Sequence, residues 1–127
     1  MLSPDPYPKI KNAIFKVVAE CAEPLGFQQL KKSTYYYRDR RDIRDIFFFQ
    51  KMRSNAVTFA YGVLAVPTDD NWTPGIPNAQ WLRSQEFYRC KYVDHVRDSI
   101  ARAMMDFVSE AIPWFEKFQT VDDLPKR

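Results

Sequence analysis

The chain has few of the residues that build phosphate-binding loops or catalytic centres. Among its 127 residues are three glycines, two cysteines and one histidine. No two glycines lie close enough for a Gly-rich phosphate-binding motif. His95 has no second histidine with which to share a metal, and neither Cys21 nor Cys90 belongs to a CxxC pair. We therefore predict no cofactor and no enzymatic activity.

Long apolar runs are also missing. The first eight residues include three prolines and no apolar stretch, so they do not resemble a secretory signal. We expect residues 1–7 to be a flexible tail. No run approaches the ~20 apolar residues of a membrane-spanning helix. We expect a cytoplasmic protein with free thiols and no membrane association.

Apolar and aromatic residues make up 46% and 16% of the chain, which favours one packed domain over 1–127. Two stretches have helical periodicity. The first begins near Pro8 and ends at Pro24 and Gly26. The second has Asp94 as its expected N-cap, and Pro113 is expected to end it and start a short helix over 114–118.

Between these stretches the pattern predicts strands over 33–38, 43–52 and 57–66, and a weaker candidate over 86–92. Turn-forming residues then predict a long loop over 67–80. The expected fold is α+β, an antiparallel meander of three to four strands with the N-terminal and C-terminal helices on one face.

The triplet Phe47-Phe48-Phe49 leaves neither face of its strand polar, so both faces should be covered. We expect the helices to cover the face of Tyr35 and Tyr37. Phe47 and Phe49 would then lie on the second face. The tryptophan-containing loop, a second copy of the chain or another protein would cover that face.

The hairpin over 38–45 is the most basic feature. Residues 31–53 carry eight basic and three acidic side chains, a local charge of +5. Arg40 and Arg41 lie at its turn, and Trp72 and Trp81 bracket the proline-rich loop. Arginine and tryptophan are favoured anchors of protein interfaces. These four are the candidate contacts for a protein partner or for self-association.

The same hairpin allows an alternative, a nucleic-acid-binding surface with arginines on phosphates and tyrosine rings on bases. The three interleaved aspartates weaken that interpretation because they repel phosphate. The sequence favours a non-enzymatic protein-binding module.

Several short segments resemble a bacterial family called domain of unknown function 4304, with its "LGF…tFyR…nfQkS…fyvNlGv" pattern and "lPwferf" ending. The matching segments are Leu25-Gly26-Phe27, Thr34-Tyr35-Tyr36-Tyr37-Arg38, Phe49-Gln50-Lys51, Phe59-Ala60-Tyr61-Gly62-Val63 and Ile112-Pro113-Trp114-Phe115-Glu116-Lys117-Phe118. Tyr61 replaces the family's usual asparagine. The resemblance implies an α+β fold and no established activity. Some members resemble immunity proteins, which bind and block a bacterial toxin.

Overall fold

The structure, a computed structural model, describes residues 5–53, 55–68 and 78–124. Two helices and a six-stranded antiparallel sheet make up the fold, which confirms the predicted α+β class. The helices are α1 (Tyr7–Ala22) and α2 (Val93–Glu116). The strands are β1 (Gln28–Gln29), β2 (Tyr35–Arg40), β3 (Ile43–Met52), β4 (Ala56–Ala65), β5 (Gln80–Trp81) and β6 (Tyr88–Arg89). They are ordered β1-β2-β3-β4-β5, and β6 also pairs with β4.

The centre of the sheet is the long hairpin of β3 and β4. Its register runs from Ile43 opposite Ala65 to Met52 opposite Ala56. The meander β2-β3-β4 follows the predicted order, and β6 falls inside the predicted segment 86–92. The two-residue strands β1 and β5 were not predicted, because so short a segment shows no alternation.

The helices pack on the sheet face that carries Tyr36, Phe47 and Phe49, which are each at most 2% exposed. The ring of Phe47 lies 5.0 Å from Tyr36 and 4.8 Å from Phe107 of α2, measured between centroids. The predicted assignment of the two sheet faces is therefore wrong, and the faces are exchanged. Tyr35 and Tyr37 lie on the outer face, and Phe47 and Phe49 belong to the core. Three consecutive apolar residues give no alternation, so the pattern could not decide between the two faces.

Helix α2 continues through Pro113, and the predicted break there is wrong. Proline lacks an N–H, so the carbonyl of Ser109 loses its helical donor. Phe115 is fully buried two residues later, against Phe107 and Tyr61. This burial offsets the lost hydrogen bond and keeps the last turn of the helix in place.

The start of α2 is also different from the prediction. Tyr92, not Asp94, is the N-cap residue, and it makes no side-chain cap. The carboxylate of Asp5 instead accepts a hydrogen bond from Val93 N–H at 2.7 Å. The Asp5 N–H donates to the carbonyl of Lys91 at 3.1 Å. The segment before α1 therefore caps α2 from a distant point in the sequence.

The expected tail and loop fall partly outside the described residues, namely at 1–4 and 69–77. Neither α1 nor α2 combines the length and the apolar character needed to cross a bilayer, and the described chain has no other helix that does.

Candidate protein-binding face

The outer face of the sheet carries a row of aromatic side chains. Tyr35 lies opposite Phe48, Phe48 opposite Ala60, and Ala60 opposite Trp81. Directly opposed residues share one face of a sheet, so these four positions form a line across β2, β3, β4 and β5. We call Tyr35, Phe48 and Trp81 the aromatic row.

The row is held together by ring contacts. Tyr35 stacks on Phe48 with centroids 4.7 Å apart, and Phe48 meets Trp81 edge-on at 6.5 Å. Ala60 has only a methyl group between the two larger rings, which lets the Phe48 and Trp81 side chains approach each other across β4.

The side chains of the aromatic row are accessible to solvent, although their neighbours on the same sheet face are buried. Trp81 is 41% exposed, and Tyr35 and Phe48 are half-buried. Ile46, Thr58 and Ala60 on the same face are each at most 1% exposed. Exposed indole and phenol rings with a polar edge are typical of interface anchors.

A charged pair lies on the outer face of strands β2 and β3. Arg44 donates from Nε and Nη2 to the carboxylate of Asp39 at 2.6 and 2.9 Å. Its guanidinium also lies over the Tyr37 ring, 4.2 Å from the centroid. These contacts hold the guanidinium in place, and the hydrogen bond to Asp39 raises the pKa of Arg44.

Two more arginines of the β2-β3 hairpin, Arg38 and Arg40, point to the helix side and meet at Asp45, whose side chain is fully buried. Arg38 donates to Asp45 at 2.8 Å and to the carbonyl of Leu25 at 3.0 Å. Arg40 donates twice to Asp45 and once to the carbonyl of Phe115, at 3.0 Å. Arg40, one of the predicted partner contacts, therefore ties the sheet to the end of α2.

The remaining predicted contacts have different surroundings. Arg41 is exposed at the hairpin turn, with a left-handed φ of 57°, and it forms no ion pair within the described part of the chain. Trp81 is in the aromatic row. Trp72 lies outside the described residues. Sequence reasoning missed Tyr35 and Phe48 as surface residues, because only the strand register places them beside Trp81.

The groups considered for chemistry lie in different parts of the fold: Cys21 in α1, Cys90 just after β6 and His95 in α2. His95 is exposed in the first turn of α2, and its ring meets Tyr92 edge-on at 5.4 Å. Cys90 is buried, which raises the pKa of its thiol to about 11. Cys21 is half-buried. In the described ranges no cluster of three or more histidine, cysteine or acidic side chains is arranged to hold a metal ion.

Comparison with known proteins leaves the family open. No family model, no curated protein and no solved structure matches the chain. The resemblance to the domain of unknown function 4304 family stays a prediction from the sequence.

Proposed function

We propose that the chain is a non-enzymatic protein-binding module that contacts its partner through the aromatic row. The supporting observation is the alignment of Tyr35, Phe48 and Trp81 on one accessible line of the outer sheet face. Such a line offers a flat apolar anchor, and the partner would exclude water from the exposed indole.

The charges of the hairpin favour a protein partner over nucleic acid. Three of its four arginines are bound to Asp39 or Asp45 within the fold. Their charge is largely neutralised, so they have little attraction left for a phosphate backbone. Arg41 is the cation at the turn that stays accessible, and we propose it as a polar contact at the rim of the interface.

The cellular role follows from the sequence resemblance alone. We propose an immunity-type protein of the bacterial cytoplasm that binds a toxin and blocks it by covering its surface. The mechanism is steric and needs no turnover.

The test is affinity capture from an extract of the native host, with the same partner quantified for three forms of the chain. Wild type and Lys9→Ala should capture it equally, since Lys9 is exposed near the start of α1, on the helix layer. Trp81→Ala should reduce capture at least about tenfold, the usual effect of removing an interface tryptophan. Equal capture by Trp81→Ala would exclude the aromatic row as the contact.

The nucleic-acid alternative has its own test. Binding of labelled DNA and RNA is measured at low salt, where a phosphate-binding surface is strongest. Tight binding that falls steeply with added salt and is lost in Arg41→Ala would replace the proposed function.

A further inference from the structure

A second accessible apolar surface lies on the helix layer, away from the aromatic row. It is a groove of about 430 Å³ between the end of α1 and the middle of α2. All its lining side chains are apolar or contain sulfur; they are Cys21, Leu25, Ala101, Met104, Met105 and Val108.

The groove exists because α2 carries more apolar residues than the core uses. One stripe of α2 faces the sheet and includes the fully buried Ile100 and Phe107. A second stripe, Ala101, Met105 and Val108, follows helical spacing beside the first. Met105 is 72% exposed and Val108 44%. The intramolecular packing therefore does not account for this stripe.

The charges around the groove leave an acidic excess. Arg97 is paired with Glu20 at 3.0 Å, and Arg102 with Glu86 at 3.1 Å. Asp98 lies one turn before Ala101 on the same side of α2, and Glu23 lies between the groove residues Cys21 and Leu25. Both are exposed, and neither forms an ion pair with another described residue.

From this combination we propose that the groove binds a basic amphipathic helix of a partner protein. The apolar stripe of that helix would lie against Met105 and Val108, and the flexible, exposed side chain of Met105 can adapt to different shapes. Its lysines or arginines would face Asp98 and Glu23. The stripe from Ala101 to Val108 is about 10 Å long, which matches two turns of a bound helix.

The probe is a synthetic amphipathic helix of roughly 15 residues, with leucines on one stripe and lysines on the remaining faces. Binding is followed by fluorescence anisotropy of the labelled peptide. A second measurement is the rate at which a thiol reagent modifies Cys21, since Cys21 lines the groove and a bound helix should slow it. Cys90, which is 2% exposed, serves as the unreactive internal control.

Two variants separate the apolar and the electrostatic contributions. Met105→Glu adds negative charge, which by itself would strengthen attraction to a lysine peptide. The proposal nevertheless expects binding to weaken at least about tenfold, because a carboxylate replaces an apolar contact. The double variant Glu23→Gln with Asp98→Asn should weaken binding and reduce its dependence on salt. Trp81→Ala should leave both measurements unchanged.

Several results would overturn the proposal. If a peptide with glutamates in place of the lysines binds equally well, the groove does not select a basic partner. Binding by Met105→Glu at wild-type strength, or an unchanged rate of Cys21 modification, would place the peptide elsewhere. Protection of Cys21 that grows with protein concentration alone, with a dimer in sedimentation, would assign the groove to a second copy of the chain. Because Trp81→Ala leaves the groove intact, failure here is distinguishable from failure of the proposed function.

Discussion

Arg40 donates two hydrogen bonds to the buried carboxylate of Asp45, from Nε at 2.6 Å and from Nη2 at 2.8 Å. The side chain of Asp45 has no exposed surface, while that of Arg40 is 25% exposed. A buried carboxylate needs such partners, because its desolvation is otherwise too costly. The arginines that make this segment the most basic of the chain therefore serve first to stabilise the fold.

Asp45→Asn should destabilise the protein strongly. It removes the carboxylate charge that Arg38 and Arg40 share, and it leaves two partly buried guanidiniums without their ion-pair partner. Breaking a buried pair in this way costs about 3 kcal/mol. The loss of stability is measured as the difference in the free energy of unfolding in urea at neutral pH between wild type and Asp45→Asn.

Glu20→Gln is the control, since both side chains of its pair with Arg97 are exposed, Glu20 by 45% and Arg97 by 60%. An exposed pair contributes less than about 1 kcal/mol. Equal losses in the two variants would show that Asp45 does not hold the hairpin to the helices.

Asp5→Ala should lower the free energy of unfolding by about 1 kcal/mol, the usual effect of losing a helix cap. The carboxylate of Asp5 supplies the cap that Tyr92 lacks, by accepting from Val93 N–H. Asp94→Ala should cost less, because Asp94 lies inside the first turn. Hydrogen exchange at Val93 checks the site itself: its amide should exchange faster in Asp5→Ala and stay protected in Asp94→Ala.

The sequence predicted the long strands and both helices, because their patterns are local. It could not predict that Phe47 faces the helices and Phe48 the outside, since an all-apolar triplet fits either face equally well. Nor could it predict the cap at Val93, which depends on a residue 88 positions earlier. Trp81 was identified from its residue type, but its neighbours Tyr35 and Phe48 depend on strand register, which is a long-range property.

Pro113→Ala should stabilise the protein by about 1 to 2 kcal/mol. Proline in a helix interior is about 3 kcal/mol less favourable than alanine, and part of this is offset because proline also restricts the unfolded chain. Alanine restores an N–H that donates to the carbonyl of Ser109. Thermal unfolding of both forms measures the change. A lower melting temperature for Pro113→Ala would mean that the proline ring itself is needed for packing at the end of α2.

Alkaline pH should destabilise the protein, beginning near pH 9. Burial raises the pKa of Cys90 from 9.0 to about 11 and that of Tyr36 from 10.0 to about 12. The folded state therefore keeps protons that the unfolded chain releases, so this stabilisation is complete below pH 9. It is lost as pH rises towards the folded-state values. The thiol alone accounts for at most about 3 kcal/mol of that loss.

Cys90→Ala tests the contribution of the thiol. Its unfolding midpoint in urea should be lower than that of wild type at neutral pH, because a small cavity forms, but it should fall less between pH 9 and pH 11. The decline above pH 10 should persist in this variant, because Tyr36 still loses its proton more readily when unfolded. Parallel pH profiles for wild type and Cys90→Ala would show that the thiol is not protected by burial.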